Sequence, residues 1–525
     1  MKRIAPYPLL FVMAIVLDRV AISANQIAIG ESLRALFILL LLTTITSFAI
    51  QYFIRDWHYT NFIVLMIWVM FLAYRSLYGL LKIKFPPQAS YLGFALVPFL
   101  GIVFTLVISQ KVWKSVHHPA RVTYYFSLVF ALLLGFQVVR LAKGVYNVLR
   151  TTSHSQSTVI PAGIDNIHLQ NKKSPDIYVI VLDGYARQDV LQNLYQYDNS
   201  EFIQQLEKRG FFVANNSHSN YIQTVYSMSS FWNFDYLPSM SSPSDFVHYL
   251  RKSIQDNQAF RLLDEINYTT VSFEGEIDYT EIKDSDVYLS DFLPINRFEG
   301  LLLMDSPLEP LSDTFDLAIP IPTYKNHRQR IQYEFDTLKE IPMSIPEPKI
   351  VYAHILAPHP PFVFDQNGNP LQNRQEYTLW DESEYRGGYE EYWKGYGRQV
   401  TFVNNEMIRV IDAILAKSKT PPVILLMGDH GPASMFNWDL NTPSCLWERT
   451  GNLYAILLPE HLNNEIVYPS ISPVNTFRVI FNNSFGTSLP YLDDKSFLMT
   501  WQQPTVKVDI TDVRDSGDGC TASDN

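Results

Sequence analysis

The chain has 525 residues, too many for one compact domain, and 47% of them are apolar. A net charge of −11 argues against nucleic acid as a partner, because phosphate binding needs a basic face. The two cysteines, Cys445 and Cys520, offer neither a metal-binding spacing nor a disulfide framework, although a single bridge between them stays open.

The apolar residues crowd into the first 143 positions. Runs near 7–23, 34–54, 60–81, 91–109 and 123–142 approach or reach the roughly 20 residues a bilayer-spanning helix needs. The first carries Asp18 and Arg19 near its end, and Ala21-Ile22-Ser23 could pass as a signal-peptide cleavage site. The charged pair ahead of that site and the later spans favour a retained helix. Asp18, Arg19 and Arg75 are read as interface neighbours or as partners within the bundle rather than as functional charges. Lys2, Arg3, Arg55, Lys111, Lys114 and Arg121 fall on one side of these spans, against mainly Lys82 and Lys84 on the other. The N-terminus is therefore expected in the cytoplasm and everything after residue 143 outside it. Inverted repeats and paired Gly/Pro-broken spans are missing, so a transporter fits poorly. Residues 144–174, polar and without periodicity and including His154 and His168, read as a linker along the membrane surface.

From Pro175 the pattern changes. IYVIVL (177–182), KIVYAHIL (349–356) and VILLM (423–427) are short apolar runs rich in β-branched residues. Such runs suit a parallel sheet covered on both faces. In 400–417 the residues Val400, Phe402, Val403, Met407, Ile408, Ile411 and Leu415 make a helical stripe, which leads through Pro421-Pro422 into the 423–427 strand as a right-handed crossover. The expected fold is α/β, a mostly parallel sheet sandwiched by helices over 175–509. It is preceded by an all-α transmembrane domain (1–143) and the linker, and succeeded by a flexible tail (510–525).

Polar residues gather where such sheets place chemistry, beyond the carboxyl ends of the strands. Asp183 comes after the first strand, His359 after the second, and Asp429 with His430 after the third. Two carboxylates and one imidazole suit a divalent ion, Mn²⁺ or Zn²⁺ first, with Mg²⁺ also possible. Thr224, in NYIQTVYSMSS (220–230), stands before an expected helix over 225–232. Its oxygen can reach the ion, and the positive end of that helix would stabilise an alkoxide or a covalent phosphate.

The order VIVLDGYAR, NYIQTVYSMSS, AHILAPHPPF, VILLMGDHGP resembles the alkaline phosphatase/sulfatase superfamily over roughly 175–500. With its N-terminal spans the architecture is similar to lipoteichoic acid synthases and lipid A phosphoethanolamine transferases. The resemblance implies that Thr224 is nucleophile and metal ligand, that Asp183, Asp429 and His430 hold the same ion, and that His359 protonates the leaving group or steadies the phosphate. Asp183 stands where those transferases typically carry glutamate. The Cys/Ser-x-Pro-x-Arg setting of sulfatases is missing around Thr224, and so is the Asp-x-x-x-His pair of two-metal phosphatases in the soluble domain. The resemblance thus points to one metal and phosphodiester chemistry. The donor would be a membrane phospholipid carrying a phosphoglycerol- or phosphoethanolamine-like headgroup, and the acceptor a glycan, lipid or protein. With water as acceptor the enzyme would be a phosphodiesterase or other ester hydrolase. A non-catalytic membrane sensor on this fold is the remaining alternative, and the joint presence of Asp183, Thr224, Asp429 and His430 counts against it.

Three further residues are substrate-binding candidates. Arg187 and Arg478 carry guanidinium groups that suit phosphate or lipid phosphate, with solvated or salt-bridged roles as the alternatives. His354, inside its strand, is read as packing first and as a site residue second. The aromatic stretch 380–399 reads as a loop, either a lid or a solvated insertion.

Overall fold

The computed structural model describes residues 6–22, 29–84, 109–152, 174–290 apart from 241, 297–304, 323–371, 377–437 apart from 380, 382–384 and 386–387, 444–459 and 467–520, with 101, 103 and 107 besides. The chain divides into two compact units, 1–155 with 292–326, and 156–291 with 327–525.

The first unit is helical: α1 (Tyr7–Ile22), α2 (Ile29–Ile54), α3 (Trp57–Lys84) and α4 (Pro119–Thr152). Among the described residues three helices are long and apolar enough to cross a membrane, over Ser32–Ile54, Trp57–Tyr74 and Pro119–Lys143. At 16 residues α1 is shorter than the bilayer core requires. The run at 91–109 and the linker from 153 to 173 lie largely or wholly outside the described residues. The linker's expected start, 144–152, is the last part of α4. Asp18 is paired within this unit: Arg140 Nη1 donates to its Oδ1 at 2.8 Å. The helix Arg297–Met304 belongs here too, because Phe298 packs with Val16, Val20 and Ala35, and Glu299 accepts from Arg34 Nε at 2.7 Å.

The second unit is built on a sheet ordered β2-β7-β6-β1-β5-β3-β4. Its strands are β1 (Ile177–Leu182), β2 (Phe212–Val213), β3 (Thr269–Phe273), β4 (Val287–Leu289), β5 (Lys349–Ile355), β6 (Val423–Met427) and β7 (Tyr454–Leu457). Strands β6, β1, β5, β3 and β4 run parallel, β7 is antiparallel to β6, and β2 is antiparallel to β7. Every residue of β1, β5 and β6 is buried, as their unalternating sequences require. Because β1 lies between β6 and β5, the residues after these three strands emerge side by side.

Three helices position the site: α5 (Thr224–Asn233), α6 (Gly388–Lys417) and α7 (Leu446–Thr450). Helix α5 is buried from Val225 to Trp232. Its three serines are satisfied internally: Ser227 Oγ donates to the Tyr221 carbonyl, Ser230 Oγ to the Asp235 carbonyl, and Ser229 meets Ser253. Helix α6 begins twelve residues earlier than the expected 400, so 388–399 is helix rather than loop. The residues expected as a flexible tail are held down to Cys520. His218 Nε2 lies 2.7 Å from Asp515 Oδ1, Arg514 Nη1 donates to the Asp494 carbonyl, and Cys520 forms a disulfide with Cys445. Reduction, or Cys520→Ser, is expected to lower unfolding stability by about 2–4 kcal/mol. Melting the full chain with and without reductant checks this, and an unchanged midpoint would show that the polar contacts alone hold the segment.

Candidate active site

The turn after β6 is Gly428-Asp429-His430-Gly431, and it admits no larger residue at either end. A Cβ on Gly428 would sit 2.4 Å from the Tyr185 carbonyl oxygen, and one on Gly431 would sit 2.0 Å from that of Glu448. This close backbone approach presses Asp429 against the turn after β1, where Gly184 N donates to Asp429 Oδ1 at 3.1 Å. Asp183 N is fixed by the Ile355 carbonyl, and His359 N by the Asp183 carbonyl. From the other side α6 holds both turns. Tyr396 Oη donates to the Gly184 carbonyl, and Gln399 Nε2 donates to the His359 carbonyl.

Asp183, Asp429 and His430 are brought together, with one donor atom from each within 4.8 Å of the others. All three are buried. His430 Nδ1–H donates to the Gly431 carbonyl at 2.9 Å, which leaves Nε2 with its lone pair toward the carboxylates. Among the described residues neither Asp183 oxygen accepts an aligned hydrogen bond, although His354 Nε2 comes within 3.2 Å of Oδ2, and Asp429 Oδ2 also accepts none. Buried carboxylate oxygens without donors are costly unless a cation takes them. The residues present therefore fit a divalent ion, with an oxygen-rich donor set open to Zn²⁺ or Mn²⁺.

The electrostatics agree. Burial pushes the Asp429 carboxyl up, the charge of Asp183 adds to this, and its pKa reaches about 6. For Asp183 burial acts upward too, but His359 and then His354 outweigh it and hold the group below the ordinary carboxylate range. Burial, and then the Arg449 charge, pushes His430 well down, so it stays neutral as a ligand must. An ion entering below about pH 6 must displace a proton from Asp429. Zinc affinity is therefore expected to fall about tenfold per pH unit below 6 and to level off above it. Calorimetric titration at pH 5 and pH 7.5 checks this, and equal affinities would refute it.

Thr224 enters the same space. It is the first residue of α5, with Gln223 rather than Thr224 itself in the capping position. Its Oγ1 lies 3.0 Å from His430 Nε2. The other end of α5 is held by Arg478, whose Nε and Nη2 donate to the Phe234 carbonyl at 3.0 and 2.9 Å. Arg478 is thus spent on the helix carboxyl terminus, where a cation is favoured, and does not face lipid phosphate. Arg187 is also spent elsewhere, on Asp189 at 2.6 and 2.8 Å and on the Ser217 carbonyl.

His354 lies beside Asp183 rather than packing below the site, with its Nδ1 3.3 Å from Thr280 Oγ1. His359 is buried, and its Nδ1 is occupied by the Pro360 carbonyl, so Nε2 is the nitrogen that faces Asp381 Oδ2 at 3.7 Å. Burial pulls the His359 pKa down, but Asp183, Asp381 and the Pro360 carbonyl reverse this and hold it above the usual imidazole value. Asp381 and Arg449 complete the group, and sequence reasoning missed both. Arg449 sits one residue before the Thr450 end of α7, and its Nη2 approaches His430 Nε2 at 3.3 Å. The short ERTG stretch (448–451) has no helical stripe to announce it, and Asp381 lies in the aromatic stretch read as a loop.

No family model matches the chain, and no curated protein matches its sequence. Matches are found among solved structures. The zinc complex of the C-terminal periplasmic domain of EcEptC from Escherichia coli has a TM-score of 0.47 at 9% identity, covering 70% of this chain and 100% of that one. The C-terminal periplasmic domain of phosphoethanolamine transferase EptC from Campylobacter jejuni has a TM-score of 0.37 at 13% identity, covering 61% and 92%. A protein in the alkaline phosphatase superfamily from Vibrio parahaemolyticus has a TM-score of 0.35 at 10% identity, covering 64% and 75%.

Proposed function

We propose that the chain is a membrane-embedded, metal-dependent phosphotransferase that moves a phosphate-containing headgroup through phosphothreonine on Thr224 to an acceptor outside the cytoplasm. The observation that carries this reading is the placement of Thr224 Oγ1, at the amino end of a buried helix and 3.0 Å from His430 Nε2, beside both Asp183 oxygens and Asp429 Oδ2, which accept no hydrogen bond from the described residues. Asp183, Asp429, His430 and Thr224 would hold the ion. Bound there, a zinc or manganese ion supplies neutralisation of phosphoryl charge and makes the Thr224 hydroxyl more acidic.

The protein's own groups do the rest. Thr224 Oγ1 forms a bond to phosphorus as the bond from phosphorus to the departing alcohol oxygen breaks. The Thr224 proton is released to solvent, because a proton and an ion compete for Asp429. The departing oxygen takes a proton from His359 Nε2, which the neighbouring carboxylates keep protonated. The free N–H groups of the first turn of α5 favour the anionic intermediate. An acceptor hydroxyl then attacks phosphorus as the bond from phosphorus to Thr224 Oγ1 breaks; His359 Nε2 takes the acceptor's proton, and Thr224 regains one from solvent. With water in that place the protein is a hydrolase.

The helices long enough to span a bilayer support a membrane donor, a phospholipid headgroup such as phosphoglycerol or phosphoethanolamine. The Cys445–Cys520 disulfide supports an oxidising compartment for the second unit, as outside a bacterial inner membrane with the N-terminus in the cytoplasm. The test is to incubate the metal-loaded full chain with labelled phospholipids and weigh the Thr224 peptide. A headgroup-phosphate adduct on Thr224 is expected. Its absence at all times would overturn the reading, and label recovered only as free water-soluble headgroup would replace transferase by hydrolase.

A further inference from the structure

Arg449 is 3% exposed and makes more use of its guanidinium than a structural arginine needs. Its Nε donates to the Ile222 carbonyl at 2.7 Å, two residues before Thr224. Its Nη1 donates to the Gly431 carbonyl at 3.1 Å and lies 3.5 Å from Asp381 Oδ2. Those contacts fix the plane of the group. Nη2 points differently, to His430 Nε2 at 3.3 Å, the nitrogen that Thr224 Oγ1 also reaches and the one imidazole atom available to an ion. A cationic donor cannot keep that nitrogen once a divalent ion has it.

We propose that Arg449 is the phosphate-binding arginine of the site: when an ion takes His430 Nε2, Nη2–H turns to a non-bridging oxygen of the phosphoryl group held against Thr224. The inference rests on the phosphotransferase reading and deepens it. The anion then lies between the ion and a planar guanidinium, and neutralises the repulsion between two cations that the ion alone would create. Both arginines that composition had offered for phosphate are committed elsewhere, Arg187 to Asp189 and Arg478 to the Phe234 carbonyl. Asp381, between Arg449 Nη1 and His359 Nε2, has one oxygen without a hydrogen bond and acts as a positioning residue for both.

The proposal predicts effects of opposite sign. Removing the guanidinium takes away a competitor for His430 Nε2 and a like charge beside the ion, so zinc affinity rises several-fold. It also removes a charge-assisted hydrogen bond to the anion, so anion affinity falls by about 10- to 100-fold. The experiment measures zinc binding, and then orthovanadate binding to the zinc-loaded protein, for the full chain in detergent as wild type, Arg449→Gln and Arg449→Lys. Tighter zinc with weaker orthovanadate in R449Q, and an intermediate orthovanadate affinity in R449K, is the expected result. Parallel loss of both ligands, or no change in either, in a variant that melts like the wild type would overturn the assignment. If R449Q fails to fold, R449K alone decides: orthovanadate affinity equal to the wild type overturns the assignment. Wild-type protein that forms the Thr224 adduct while R449Q keeps full orthovanadate affinity defeats only this inference. Wild-type protein that binds neither orthovanadate nor headgroup defeats the phosphotransferase reading with it.

Discussion

On the phosphotransferase reading, Thr224→Ala is expected to abolish the covalent adduct and to lower headgroup turnover by about 10⁴-fold or more, the scale seen when a catalytic nucleophile is deleted. The substitution is mild for the fold. Thr224 is the first residue of α5, its methyl-bearing side chain is only partly buried, and alanine is a good helix former. Metal content should therefore survive, since Asp183, Asp429 and His430 come from the strand ends and not from α5. Thr224→Ser keeps the hydroxyl and should retain the adduct with a reduced rate, because the lost methyl frees the rotamer that aims Oγ1. Turnover assayed alongside zinc content separates the cases. An alanine variant that still turns over would mean that water attacks directly, and that Thr224 serves only as a ligand.

The arrangement that makes this prediction possible was readable in part from sequence, and the boundary falls where local information ends. The strands at 177–182 and 423–427 match β1 and β6 to the residue, because a fully buried strand writes itself as an unbroken β-branched run. The parallel sheet then places the residues beyond each run, so Asp183, Asp429 and His430 could be grouped. Helix α6 was legible only from residue 400. Its first twelve residues belong to the aromatic stretch read as a loop, and a Cβ at Gly395 there would come within 2.3 Å of the Phe362 ring. Its glycine is there for a neighbour distant in sequence, and Tyr396 and Gln399 on the same stretch hold the turns after β1 and β5. Arg449 and Asp381 are likewise defined by partners far along the chain. For Arg478 and Arg187 the error ran the other way, since charge alone looked like phosphate affinity and nothing local revealed the carbonyls that claim them.

Asp429→Asn should separate stability from function in a single change. In the wild type without its ion, burial and the Asp183 charge raise the Asp429 pKa from 3.8 to about 6. The folded protein therefore binds this proton more tightly than the unfolded chain. The stability this contributes is present below the unfolded value and is lost as pH rises from about 4 to about 6. By pH 7.5 the loss is complete, and is about 3 kcal/mol as an upper bound. An asparagine has no such proton and suits the space: its oxygen can accept from Gly184 N as Oδ1 does, and its amide can donate to His430 Nε2, 3.2 Å from the present Oδ2. The ion-free D429N protein should thus melt higher than ion-free wild type at pH 7.5, and no higher at pH 4. With zinc the order reverses. Wild type gains about 4.1 kcal/mol at a zinc concentration of 1,000 times Kd, more than the ion-free difference, and the variant, with one carboxylate fewer and His430 Nε2 occupied, gains almost nothing. Melting curves at the two pH values, with and without zinc, give all four comparisons. A variant that is less stable than ion-free wild type at pH 7.5 would show that Asp429 is held by its neighbours as a structural acid, and that the site was not shaped for a cation.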